Sequence, residues 1–163
     1  MSAEATTTSL TGLAALAAAV DLCEVRPLAF LARLVGDLPQ QETVFDLSIK
    51  NELTSKQEGD GQFVVSANFT IGAKAGSNSK QDFLEIRYNI VSRYRVPSGH
   101  PLEQDVLDLF AKTNGMVHLW PYLRAFVANS CAQMGLIPIT LPPFRVKSSP
   151  EQPSKEPSPA ASS

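Results

Sequence analysis

The stretch FVVSANFTIGA at residues 63–73, followed by LEIRYNIVSRY at residues 84–94, decides the fold of this 163-residue chain. Both stretches alternate apolar and polar residues with a period of two, which is the pattern of a half-buried β-strand. The apolar face of the first holds Phe63, Val65, Ala67, Phe69, Ile71 and Ala73, and that of the second holds Leu84, Ile86, Tyr88, Ile90 and Tyr94. The polar segment 75–80 between them predicts a turn, so the two strands form an antiparallel hairpin.

Two further strands are predicted upstream of this hairpin. Phe45–Leu53 alternates as cleanly, and the polar segment Thr54–Gly61 after it predicts a turn. Leu22–Val35 is mostly apolar, and its Pro27 cannot donate to a ladder, which indicates an edge position or a bulge. Because short turns join consecutive strands, we expect a four-stranded antiparallel meander with one apolar and one mixed face.

The apolar period changes from two to 3.6 after Pro97. A helix is predicted from Pro101 to Asn114-Gly115, and a second one from about Val117 to Met134. The sequence therefore predicts an α+β fold in which C-terminal helices pack on the meander sheet.

The chain is expected to divide into three parts. Residues 1–20 form an N-terminal segment with a short helix, Ser9–Val20, capped by Ser9 or Thr11. Residues 21–146 form the folded domain. Residues 147–163 contain Ser, Pro, Glu, Lys, Gln and Ala only, which predicts a disordered tail.

Composition and charge exclude several classes of function. The net charge is −2 and no basic stripe occurs, which argues against a nucleic-acid binder. The apolar run Leu13–Val20 is too short to span a bilayer, and Glu4 stands where a signal peptide would be basic. We therefore expect no membrane insertion and a cytoplasmic location.

Catalytic motifs are missing from the sequence. His118 and Cys131 cannot form a catalytic pair, because on one helix they point about 220° apart. Cys23 and Cys131 show no metal spacing, and both are predicted to be buried thiols. We expect neither an enzyme nor a bound metal or cofactor, although an active site assembled from distant residues stays an alternative.

The segment NGMVHLWPYLRAFVANSCAQMGLIPITLPPFRV, residues 114–146, resembles the SecB family of export chaperones. That family shows a glycine, an aromatic-Pro-Tyr, an arginine, a glycine at the helix end and a proline-rich arm ending in an aromatic residue. The matching positions here are Gly115, Trp120, Pro121, Tyr122, Arg124, Gly135, Pro138, Leu141, Pro142, Pro143 and Phe144. With FLEI at residues 83–86 on the last strand, the resemblance covers residues 20–146.

The resemblance also implies function and partners. It implies an ATP-independent chaperone that holds unfolded polypeptides, built as a homotetramer. Client grooves would lie near Leu84, Ile86 and Tyr88 of the last strand and Leu38 of the loop after the first. The rival interpretations are that the three strand residues are ordinary core, and that the protein is a passive oligomerisation module.

Departures from the family concern the partner. Where the family carries an acidic pair that docks the motor SecA, this chain has Arg26–Ala32 without acids. Glu85 remains as a candidate docking carboxylate, and the family's C-terminal helix is replaced by the tail. These differences speak against SecA and favour the solitary SecB-like chaperones, some of which protect a toxin-antitoxin pair. The resemblance therefore leaves two partners open, an antitoxin and, against these differences, SecA.

Overall fold

The chain folds into long antiparallel strands followed by helices. The structure, a computed structural model, describes residues 2–36, 45–75 and 81–144. The elements are α1 (Ser2–Ala19), β1 (Asp21–Leu34), β2 (Phe45–Gln57), β3 (Gln62–Ala75), β4 (Asp82–Arg95), α2 (Gln104–Phe110) and α3 (Met116–Gln133). A π-helical turn, Ala111–Gly115, joins α2 to α3.

The strands form a four-stranded antiparallel sheet in the order β1-β4-β3-β2. β2, β3 and β4 pair as successive hairpins, as the short segments between them predict. β1 pairs with β4 instead of β2, from Asp21 opposite Arg95 to Leu34 opposite Leu84. The predicted antiparallel sheet is confirmed, but the meander order is wrong for β1. Residues 35–44 can span about 33 Å when extended, whereas crossing from one sheet edge to the other takes about 14 Å.

The connection between β2 and β3 is tighter than predicted. Strand β2 continues to Gln57, so only the second half of Thr54–Gly61 turns. Gly59 and Gly61 have φ angles of 116° and 65°, in the left-handed region that favours glycine. A side chain at Gly61 would also collide with the Val96 carbonyl oxygen, 2.8 Å from the ideal Cβ position.

Pro27 lies both in an edge strand and at a bulge, so the two predictions made for it are confirmed. The strand pairs with β4 on one side only, and its register shifts between Leu22 and Glu24 and between Pro27 and Ala29. These irregularities interrupt the row of backbone groups at the outer edge of β1, which limits continuous pairing along that edge.

One face of the sheet carries the core. The six apolar residues of β3 identified in the sequence are each at most 1% exposed. Phe63 stacks on Tyr94 at 5.0 Å between ring centroids, and Phe110 of α2 meets both rings edge-on. The helices therefore cover this face, as predicted. We call the opposite, open face the outer sheet face.

The helical stretch after β4 does not break at Gly115, contrary to the prediction. Gly115 has helical dihedrals, φ −57° and ψ −46°, and the chain passes through the π turn directly into α3. Its Cβ would lie only 3.1 Å from Cγ1 of Val65, so the missing side chain lets the helix approach the sheet. The glycine serves packing here, not helix termination.

Helix α1 packs on α2 and is longer than predicted. Ser9 is not its N-cap: it lies inside the helix, and its hydroxyl donates to Asp105 Oδ2 at 2.8 Å. Gly12 faces Val106, where an added Cβ would lie 2.9 Å from Cγ2. Leu16 is 1% exposed and anchors the helix in the core. The predicted tail, residues 147–163, lies outside the described residues.

Candidate functional site

The three strand residues predicted to line a client groove lie beneath the helices. Leu84 and Ile86 are fully buried and Tyr88 is 6% exposed. In this conformation a client could contact Leu84 or Ile86 only if the helical layer moved. Leu38, the fourth predicted groove residue, lies outside the described residues.

An aromatic cluster between β1 and α3 includes Tyr88 and is exposed to solvent at Phe30 and Tyr122. Phe126 of α3 stacks on Tyr88 with 4.3 Å between ring centroids, and Phe30 of β1 meets Phe126 edge-on at 5.4 Å. Burial raises the pKa of Tyr88, and the neighbouring Tyr122 phenol raises it further. Phe30 is 67% exposed and Tyr122 is 45% exposed. We call Phe30, Tyr88, Tyr122 and Phe126 the aromatic cleft.

Strand β1 extends this apolar surface, which sequence reasoning did not identify. Its exposed large apolar residues are Leu22, Leu28, Phe30, Leu31 and Leu34, with Val35 just beyond the strand. These residues lie on both faces of an edge strand. The signal in the sequence is the lack of alternation in Leu22–Val35, a pattern that normally indicates a strand covered on both sides. Exposed apolar residues that adjoin one another are typical of interaction surfaces.

The aromatic-Pro-Tyr motif clamps the proline-rich arm to α3. Trp120 Nε1 donates a hydrogen bond to the Pro142 carbonyl oxygen at 2.7 Å, and its ring contacts Phe144. Ile139 and Leu141 of the arm are buried in the core. The arm through Phe144 is therefore packed on α3 and on the core.

The remaining motif residues have separate positions. Pro121 lies inside α3 and leaves the Val117 carbonyl without the amide donor that another residue would supply. Arg124 is half-buried, and its Nε has no hydrogen-bond partner among the described residues. Pro138 and Pro143 are exposed on the arm. These residues shape α3 and the arm and do not converge on one pocket.

Glu85 is held on the outer sheet face by two arginines. Arg33 NH2 lies 2.6 Å from Glu85 Oε2, and Arg87 NH2 lies 2.6 Å from Oε1. Hydrogen bonds from Arg33 and Arg87 lower the pKa of Glu85, so the carboxylate is ionised at neutral pH. Both of its oxygens are engaged, which leaves little capacity to dock a cationic partner.

The histidine and cysteine residues are separated, as the helical geometry predicts. His118 is half-buried, and its Nδ1 lies 3.0 Å from the Tyr94 hydroxyl. Burial lowers the pKa of His118 and raises that of Tyr94 to about 12. Cys131 is buried as predicted. Cys23 is exposed, contrary to the prediction, because β1 is an edge strand.

Two absences hold for the residues that the structure describes. Across residues 2–36, 45–75 and 81–144, no group of three or more His, Cys, Asp or Glu side chains could hold a metal ion. Within the same ranges, no helix is long and apolar enough to cross a membrane.

Comparisons with known proteins identify the fold. No protein-family model matches the chain, and no curated protein shows a significant match. Its structure is similar to that of the Mycobacterium tuberculosis Rv1957 SecB-like chaperone, solved in complex with a ChAD peptide from the Rv1956 HigA1 antitoxin. The TM-score is 0.73 at 20% identity, and the match covers 86% of this chain and 99% of that one. A Streptococcus agalactiae protein of unknown function matches with a TM-score of 0.37 at 12% identity, and that match covers 76% of this chain and 96% of that one.

A sheet of four antiparallel strands with C-terminal helices on one face defines the class of this protein as α+β. More narrowly, the chain has the SecB-like fold. The prediction made from residues 114–146 is thus confirmed at the level of the fold.

Proposed function

We propose that this protein is an ATP-independent chaperone that holds non-native polypeptide segments in the aromatic cleft. The observation that supports it is Phe30: an aromatic side chain that is 67% exposed yet packs on a stacked aromatic pair. Each client leucine or phenylalanine buried there contributes about 1.5–3 kcal/mol. Since the contact requires apolar area and no particular sequence, unfolded chains are preferred over folded ones.

The proposed client class includes an antitoxin. The structural neighbour was solved with an antitoxin peptide, and the engaged carboxylate of Glu85 speaks against docking of SecA through this residue. We expect the protein to hold antitoxin in the cytoplasm, where the antitoxin is synthesised and is first unfolded. No step in the proposal uses nucleotide, metal or catalysis.

A homotetramer remains the expected assembly. The exposed apolar residues of β1 form an edge that a second copy of the chain can cover. The same observation favours the second candidate function, a passive oligomerisation module. In that case the apolar surface serves assembly only and no client is held.

Aggregation suppression combined with mass determination tests the proposal. The wild-type protein should suppress aggregation of a slowly refolding client without ATP, at equal subunit concentration. Tyr122→Asp and Phe30→Asp should weaken that suppression, because each places a carboxylate in the aromatic cleft. Val117→Asp is the matched control, since Val117 is exposed on α3 but belongs neither to the cleft nor to the apolar surface of β1.

Light scattering after gel filtration separates the two candidates. The holding function requires that Tyr122→Asp lose suppression while the oligomer mass stays constant. If the wild-type protein holds no unfolded client, the passive module is correct. If Phe30→Asp and Tyr122→Asp both dissociate the oligomer, the cleft is a subunit interface and not the client site.

A further inference from the structure

The outer sheet face carries a groove of about 400 Å³ on the side opposite to the helices. Two cross-strand rows form it. One row aligns Leu31, Arg87 and Thr70, and the next aligns Ala29, Asn89 and Asn68. The groove thus combines an apolar wall on β1 with amide and hydroxyl groups on β3 and β4. We call it the outer groove.

Arg87 is the one charged residue among the side chains that line the outer groove in the described part of the chain. Its side chain is 63% exposed, although it pairs with Glu85. Glu85 also pairs with Arg33, whose side chain is 55% exposed. One carboxylate therefore serves two guanidinium groups, and the three residues together retain one positive charge.

Neighbouring charges do not cancel this excess at the groove. On β2, Lys50 and Glu52 stand beside Thr70 and Asn68 and balance each other. The Asp82 carboxylate lies over Gly72, since a Cβ added to Gly72 would be 2.6 Å from Asp82 Oδ2. Gly72 is one cross-strand row beyond Thr70, on the side away from the groove. The groove itself is therefore locally positive, although the whole chain is acidic.

We propose that the outer groove binds a short acidic segment of a partner protein. A carboxylate of the segment pairs with Arg87, whose internal partner Glu85 is also engaged by Arg33. An apolar side chain next to that carboxylate packs on Leu31. The exposed side chains of Asn68 and Thr70, which line the groove beside Arg87, hydrogen-bond to polar groups of the bound segment.

Phe30 and Tyr88 also border the outer groove, but their rings pack on Phe126 on the helix-covered side of the sheet. Leu31 and Arg87 alternate with them along β1 and β4 and lie on the other side, so both surfaces can be occupied at once.

Fluorescence anisotropy with two labelled peptides tests the proposal. The peptides have equal length and alternate leucine with glutamate in one and with lysine in the other. The glutamate peptide should bind and the lysine peptide should not. Arg87→Gln should weaken the glutamate peptide about fivefold, the size of an exposed ion pair. Glu85→Gln should strengthen it, because both arginines then lose their internal partner.

Arg95→Gln provides the matched control, since it removes the same charge from an exposed β4 residue outside the outer groove. Equal loss in Arg87→Gln and Arg95→Gln would show an effect of net charge and overturn the proposal. Binding of the lysine peptide as tightly as the glutamate peptide, or weaker glutamate binding in Glu85→Gln, would also overturn it. Circular dichroism confirms that each variant is folded. The holding assay with Tyr122→Asp is independent, so failure of either site leaves the other intact.

Discussion

Removing the indole donor of Trp120 should release the proline-rich arm from α3. Trp120 is 8% exposed, and its Nε1 donates to the Pro142 oxygen at 2.7 Å. Trp120→Phe keeps an aromatic ring but leaves that carbonyl oxygen without its donor. A net hydrogen bond contributes about 0.5–1.5 kcal/mol to the free energy of unfolding. For a chain of this size, the melting temperature should fall by about 3 °C.

Trp120→Ala should cost more, about 3–5 kcal/mol, because it also leaves a cavity against Phe69 and Phe144. Leu141 belongs to the same unit, since it is fully buried on the arm one residue before Pro142. The double variant Trp120→Ala/Leu141→Ala should therefore lose less stability than the sum of the two single variants.

Urea unfolding and limited proteolysis measure these effects. Cleavage near residues 138–144 should accelerate in both Trp120 variants. Tyr122→Phe is the control on the same helix, because its side chain is 45% exposed, and it should change stability by less than about 0.5 kcal/mol. If Trp120→Phe is as stable as the wild type, or if the Trp120 and Leu141 effects simply add, the clamp is not what holds the arm.

Three more predictions concern the core and the titrating groups. Because burial lowers the pKa of His118, the unfolded chain binds the proton more tightly, so stability should fall as pH drops from 7 through its usual value near 6.5. The His118→Gln variant should lose that dependence, and an unchanged melting profile between pH 7.5 and 5.5 would contradict the reasoning. Gly115→Val should cost about 1–3 kcal/mol in urea unfolding, and Val65→Ala should partly restore it; no rescue would refute the close contact. Cys131 should resist alkylation until the protein unfolds, because it is buried and burial raises the pKa of its thiol, whereas labelling in the native state would show that α3 opens.

The alternation of apolar and polar residues predicted β2, β3 and β4 well, because a sustained period of two is compatible with a half-buried strand and not with a helix. In β3, Phe63 through Ala73 occupy the face that the sequence assigns to the core. The neighbour of β1 was not predictable in this way. Alternation fixes which face of a strand is buried but carries no information about which strand lies beside it. The connecting segment 35–44 permits either order.

The candidate site was predictable only in part, for a related reason. Alternation places Ile86 on the apolar face of the sheet but does not indicate whether helices or a client cover that face, and in the structure Ile86 is fully buried. Phe30, which does lie exposed, sits in an apolar run that resembles a fully covered strand. Trp120 and the arm were recognised in the sequence because they lie within one short segment of the chain. The contact between Phe30 and Phe126 joins residues that are far apart in the sequence, so no local pattern indicates it.

The sheet order has a consequence for the growing chain on the ribosome. β1 is synthesised first but finds its partner last, since Asp21 must wait for Arg95. The β2, β3 and β4 hairpins involve nearby residues and can form while β1 is still unpaired. During that interval the most apolar strand edge of the protein is open to other nascent chains, so synthesis rate and crowding should influence its yield. A protein proposed to shield unfinished polypeptides thus passes through a stage in which it needs the same protection itself.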